Sequence, residues 1–218
     1  MSSYIVQDTG VTADDICQAV AIHRSEIRQG FLSSLGDQAL QLVFSQAADR
    51  RAGILLIAKR KEDGQVCGFL LGALNTGTFY REFLMRKGLK AIMTVLPVIL
   101  SFDKIQKVLE TLLYPSRRDV KAFPEVELLD IAISRESQGT GLAQLIFYEF
   151  CALLLRKGVN RFKVTTGVSL VRAQRFYERL GAVRAGMIEV HKGQNTVVYT
   201  YSIPEQTIGA AGSVNNFT

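Results

Sequence analysis

The residues most open to a chemical reading lie between Val126 and Ala143. An aliphatic run from Val126 to Ser134, interrupted by Glu127 and Asp130, leads into Arg135-Glu136-Ser137-Gln138-Gly139-Thr140-Gly141 and then into an apolar helical pattern. A strand that feeds a Gly-x-Gly turn at the start of a helix is suited to holding phosphate. Glycines let the backbone come close, and the free amides and helix dipole face the anion. A tight connection without a ligand is the plain alternative. The turn lacks the GxGxxG of a dinucleotide fold, and no Lys-Ser or Lys-Thr follows to make a triphosphate loop. A regular strand would send Glu127 and Asp130 to opposite faces, so only one of them would meet a ligand unless a bulge intervenes.

Other reactive side chains give less. Cys17, Cys67 and Cys151 have no CxxC spacing and sit in apolar stretches, where cysteine behaves as a small hydrophobe. Their usage fits a reducing, cytoplasmic setting. None has a paired His in a recognisable arrangement, which disfavours an acyl-cysteine route, and two distant histidines do not make a metal site. His23 falls on the apolar stripe of a helix and reads as a packed core residue.

The elements that must position these groups follow from periodicity. Thr12 and Asp15 signal a helix start, and Ile16, Val20, His23 and Ile27 carry it over about 13–29. Asp37 can cap a second helix with Leu40, Val43, Phe44 and Ala47 on one side. Ile54–Ala58 and Val66–Leu74 read as antiparallel strands joined by a turn ending in Asp63-Gly64. The stretch 77–115 reads as a helical insertion whose Arg81, Arg86, Lys87, Lys90, Lys104 and Lys107 form a solvated face, with a nucleic-acid or anionic-membrane site as the alternative. Helices are expected over 141–157 and 170–180, a strand over 161–166, and a closing strand pair at Met187–His191 and Thr196–Ser202 around Gly193. The tail 204–218 is small and polar and is expected to be mobile.

With 218 residues, 48% of them hydrophobic and 21% charged, the chain can fill the core of one compact domain spanning 1–203. A net charge of +6 favours anionic ligands. No signal peptide is expected at the N-terminus. The longest apolar run, Ala91–Leu100, is about half the roughly 20 residues that span a bilayer, so stable membrane insertion is not expected.

Two segments in order, Glu127 to Phe147 and Ala173-Gln-Arg-Phe-Tyr-Glu-Arg-Leu-Gly-Ala182, resemble the GNAT superfamily of N-acetyltransferases. The family's Gln/Arg-x-x-Gly-x-Gly/Ala motif ends on Gly139-Thr140-Gly141, with Glu136 where Gln or Arg is usual. An acidic group there would repel a pyrophosphate unless it points away, so either Arg135 compensates or the backbone amides carry the binding. In the second motif Leu170 stands where Asn is usual. The stretch from His23 to Gly36 also resembles members linked to amino-sugar and surface-polysaccharide biosynthesis.

The resemblance implies an α/β fold with a mixed, mainly antiparallel sheet flanked by helices and splayed near Ile133 and Val164. It implies acetyl-CoA as co-substrate, its pyrophosphate held by Gln138, Gly139, Thr140, Gly141, Leu142 and Ala143, and its pantetheine arm against the strand Ile131, Ala132, Ile133. Glu127 matches the place of a general base in some members, with Asp130 as rival, and burial fits such a carboxylate to accept a proton. Tyr177 matches a proton donor to the sulfur. The expected partner is a small-molecule amine, such as an amino sugar or sugar nucleotide, with amino acids, polyamines, antibiotics and protein amines open. No nucleic acid is expected, and a homodimer is an option. A non-catalytic acyl-CoA-binding protein is the alternative, motivated by Glu136 and Leu170.

Overall fold

The computed structural model describes residues 3–30, 32–49, 51–83, 85–86, 123–191 and 194–204. Seven strands form one sheet: β1 (Tyr4–Gln7), β2 (Gly53–Arg60), β3 (Val66–Ala73), β4 (Glu127–Ile133), β5 (Arg161–Gly167), β6 (Val183–His191) and β7 (Gln194–Ser202). Their spatial order is β1-β2-β3-β4-β5-β7-β6. Every neighbouring pair is antiparallel except β4 and β5, which run parallel. Among the described residues, α1 (Ala13–Glu26), α2 (Asp37–Ala48), α3 (Leu142–Arg156) and α4 (Val171–Arg179) flank the sheet, and residues 76–83 are also helical. This is the mixed, mainly antiparallel α/β architecture implied by the resemblance.

The strands β2 and β3 are nearly continuous aliphatic runs because both faces of the sheet are covered. Leu55, Ile57, Phe69 and Leu71 pack with α1 and α2, while Ile54, Leu56, Cys67 and Leu70 pack with Ile146, Phe147 and Phe150 of α3. Period-two alternation sorts Ile54 to Ile57 and Phe69 to Leu71 between two cores, and Cys67 joins the α3 side because the register shifts between Ala58 and Lys59 and leaves it as an extra residue of β3. At Gly72 a Cβ would lie 2.8 Å from the Phe150 ring, so glycine is what lets α3 sit directly on β3.

Local chemistry sets the helix ends. The Thr12 amide donates to Asp15 Oδ2 at 2.9 Å and the Asp15 amide donates to Thr12 Oγ1 at 3.2 Å, a reciprocal capping box at the start of α1. The helix stops at Glu26, short of the expected 29, because Ile27 is already extended while its amide still donates to the His23 carbonyl. Asp37 does not cap α2. Gly36 takes that place without a side-chain bond, and Asp37 instead accepts from Arg24 Nε at 2.6 Å. Arg24 also donates to the carbonyls of Ser33 and Leu35, tying down the loop between α1 and α2.

Three further expectations need correction. The short edge strand β1 carries no apolar alternation strong enough to announce it, and β6 begins at Val183 rather than Met187. Cys17 is exposed, near Gln41, although Cys67 and Cys151 are buried; burial pushes the Cys151 thiol up to about 12. Of the helical insertion, residues 76–83 are helical. Lys87, Lys90, Lys104 and Lys107, the apolar run Ala91–Leu100 and the tail from 205 lie outside the described residues, whereas Arg86 lies 3.8 Å from Asp49 Oδ2. Among the described residues no helix is long and apolar enough to cross a membrane.

Candidate active site

β4 and β5 pair only at Glu127 with Lys163 and Leu128 with Val164. Past Val164 the pairing ends. From Leu129 onward the β5-facing edge of β4 has no strand partner, while β5 stays paired to β7 through Gly167. The opening forms a cleft of about 1510 Å³. That exceeds the ~300–1,000 Å³ usual for a single small ligand, leaving room for a long ligand and a second reactant.

At one end lies the Gly-x-Gly turn. Arg135–Ser137 make a single 3-10 turn, after which Gly139 (φ 80°) and Gly141 (φ 81°) are both left-handed. A Cβ at either would meet nothing within 4 Å, so glycine is required there for conformation and not for space. Left-handed residues in such a turn gather their amides on one concave side. The first-turn amides of α3, from Leu142 to Gln144, have no helical carbonyl to bind and add the positive end of the dipole. Gln138, Gly139, Gly141, Leu142 and Ala143 line the cleft, whereas the Thr140 hydroxyl turns back to donate to the Ser137 carbonyl at 2.7 Å.

Glu136 and Arg135 are exposed and do not line the cleft, so the acidic departure at Glu136 points away and backbone amides are what the turn offers an anion. Gln138 is the crossing point of this end. Its Nε2 donates to Glu26 Oε2 at 2.8 Å and to the Ile133 carbonyl at 3.3 Å, and its Oε1 accepts from Arg172 at 3.3 Å. Arg28, Arg172 and Arg179 add cationic groups to the lining. Leu170 precedes α4 without a side-chain cap and presents an apolar group to the cleft.

At the other end a bulge decides which carboxylates face the cleft. Leu71 of β3 stands opposite Asp130 and Gly72 opposite Leu128, which leaves Leu129 as an extra residue in β4. The inserted residue brings Glu127 and Asp130, which a regular strand would separate, to the same cleft. Glu127 is buried. Thr76 Oγ1 donates to its Oε2 and Thr165 Oγ1 to its Oε1, each at 2.8 Å. The buried Lys163 ammonium lies 3.6 Å from Oε2 and donates to the Pro124 carbonyl at 2.7 Å. The Asp130 side chain is 19% exposed, and its Oδ2 lies 3.3 Å from His23 Nε2.

Two phenols complete this end. Tyr177 is the buried residue of α4 and lines the cleft; no hydrogen bond joins its hydroxyl to another described residue. Burial first, and the Asp130 charge second, push this phenol well above its usual range, so it keeps its proton. Tyr80, one turn beyond Thr76, is pushed up in the same way by burial, then Glu127, then Asp130. The sequence reading passed over Thr76, Tyr80, Lys163 and Thr165. The spacing of Thr76 and Tyr80 on one helix face was the available signal for two of them. Ile131, Ala132 and Ile133 line the cleft along the open edge of β4.

Comparison with known proteins gives the family. The sequence model of the acetyltransferase (GNAT) family matches residues 19–182. No curated protein matches the sequence at a significant level. Among solved structures, Ard1 from Thermoplasma volcanium is 14% identical and superposes with a TM-score of 0.59 over 94% of this chain and 100% of that one. An N-acetyltransferase from Staphylococcus aureus Mu50 is 11% identical, with a TM-score of 0.57 over 92% of this chain and 99% of that one. A chain of the NatC complex bound to Gag peptide and CoA is 9% identical, with a TM-score of 0.58 over 93% of this chain and 100% of that one. At these identities the likeness is one of fold. The family match spans both the glycine turn and Tyr177, and the chain belongs to the GNAT family of acetyltransferases, acyl-transferring enzymes that use acetyl-CoA as co-substrate.

Proposed function

We propose that the protein acetylates a primary amine by direct transfer from acetyl-CoA in a ternary complex, within a single domain spanning 1–203, and that the acceptor is an amino sugar or sugar nucleotide. One observation carries this reading: a single cleft holds unpartnered amides at one end and two carboxylates with a protonated phenol at the other. The acceptor class is supported by the resemblance of His23 to Gly36.

Acetyl-CoA supplies an activated thioester. Its pyrophosphate fits the amides from Gly139 to Ala143 beside the Gln138 side chain, the Gln138 amide itself being given to the Arg135 carbonyl, and its extended arm fits the open edge at Ile131, Ala132 and Ile133. The acceptor nitrogen must lose a proton to become nucleophilic. Glu127 takes that proton, directly or through a water. The hydroxyls of Thr76 and Thr165 fix both of its oxygens, and a carboxylate's roughly four lone-pair sites leave Oε1 able to accept once more. Asp130 attracts the cationic amine. Tyr177 donates its hydrogen to the departing sulfur, and its raised proton affinity keeps that donor loaded at neutral pH.

The test is release of free thiol from acetyl-CoA across a panel of amines: amino sugars, amino sugar nucleotides, amino acids, polyamines and short peptides. Amino sugars should give thiol with the wild-type chain, with large losses in Glu127→Gln and Tyr177→Phe. Acetyl-CoA binding without thiol release from any amine would overturn the reading in favour of a non-catalytic acyl-CoA-binding protein.

A further inference from the structure

His23, near the end of α1, has no part in the transfer just described. Its ring is fully buried, stacked on Phe69 of β3 with centroids 6.1 Å apart and planes 28° apart, and edge-on to Phe44 of α2 at 6.2 Å. Packing of this kind meets the expectation of a core histidine. An alkyl or phenyl side chain would fill the same place without the penalty of burying two polar atoms. Neither ring nitrogen has a hydrogen-bond partner, and such atoms are costly to bury unpaired.

What the sequence does not reveal is the direction the ring faces. Nε2 approaches Oδ2 of Asp130 to 3.3 Å, longer than the roughly 2.7–2.9 Å of a charge-assisted bond and outside hydrogen-bond geometry. The aromatic neighbours hold the imidazole, whereas Asp130 is partly exposed on a bulge, so Asp130 is the partner with freedom to adjust. Such contacts in a ligand-free site tighten when the reactants bind.

We infer that His23 is a positioning residue: it carries a proton on Nε2 and holds the Asp130 carboxylate toward the cleft interior, beside Tyr177 and the acceptor amine. The inference rests on the acetyl-transfer reading of the cleft. Without the N–H, Asp130 turns toward the wet side of the cleft and its charge no longer acts on Tyr177. No covalent step passes through His23.

Two measurements test this. The chain holds only two histidines, so imidazole nitrogen NMR of the full chain resolves His23 from His191. His23 should show the Nε2–H tautomer, and Asp130→Asn should shift its signals and leave those of His191 in place. An Nδ1–H tautomer, or a spectrum indifferent to Asp130→Asn, would overturn the inference with no need for an acceptor. The second is kinetic, with whichever panel amine turns over fastest. His23→Phe should lower kcat roughly tenfold with KM for acetyl-CoA unchanged. His23→Gln, which keeps an N–H, should restore most of it, and His23→Phe should add nothing to Asp130→Asn. Additive losses in the double variant would reduce His23 to a packing residue. If no amine turns over in the wild type, the transfer reading fails, and the NMR result still decides the His23–Asp130 pairing.

Discussion

At the α3 end of the cleft the groups facing a ligand belong to the backbone; at the β4 bulge they belong to side chains. The cradle needs only two left-handed glycines and a helix starting at Leu142, all within Gln138–Ala143. The carboxylate end draws Glu127 and Asp130 from β4, Thr76 and Tyr80 from the helical stretch after β3, Lys163 and Thr165 from β5, and Tyr177 from α4. A backbone site tolerates side-chain change around it, which is how an acidic Glu136 can sit beside the proposed phosphate cradle and stay in solvent. A side-chain site does not, because each replacement alters a charge or a proton. Binding of acetyl-CoA and chemistry on it are therefore separable by mutation.

Glu127→Gln should show that separation most strongly. Loss of a general base lowers kcat/KM about 10²–10⁴-fold at neutral pH. Calorimetry should find acetyl-CoA affinity within about twofold of wild type, and a parallel loss of affinity would erase the distinction between the two ends. Lys163→Met tests the same end through stability. It strands a buried carboxylate and should cost about 3–5 kcal/mol by denaturant titration, part of it recovered in the Lys163→Met, Glu127→Gln double variant. Tyr177→Phe should reduce kcat about 10–100-fold and leave KM for acetyl-CoA nearly unchanged. Because the raised phenol of Tyr177 stays protonated well above neutrality, the wild type should show no alkaline loss of kcat from this group between about pH 7 and 10. Glu136→Gln should have the smallest effect, within about twofold on acetyl-CoA affinity, since the side chain lies off the cleft.

The glycine turn was legible in the sequence because its cause is local: strand, glycine pair and helix start are contiguous. Most element types and their order were legible for the same reason. The bulge was not, since it is set by the register of β3 against β4 around Gly72, with the Phe150 ring packed where a Cβ would stand. Nor was the role of Lys163. A lysine in a strand reads as a solvated charge, yet it is buried here because Glu127 and the Pro124 carbonyl meet its ammonium. Thr76 and Thr165 are ordinary residues until a carboxylate from a strand far along the chain arrives between them. His23 was legible as core and not as a neighbour of Asp130, because the first depends on helical period and the second on tertiary contact.

The most direct measurement is equilibrium titration of the full chain with acetyl-CoA, beside ATP and NADPH as anionic controls, repeated on a Gly139→Glu, Gly141→Glu variant shown to be folded by circular dichroism. Side chains at two left-handed positions add strain of roughly 1–3 kcal/mol each, and the added carboxylates repel phosphate. Acetyl-CoA should bind the wild type selectively and lose at least about 100-fold in affinity in the folded variant. Equal binding of all three anions, or full affinity in the variant, would contradict the assignment of the amide cradle.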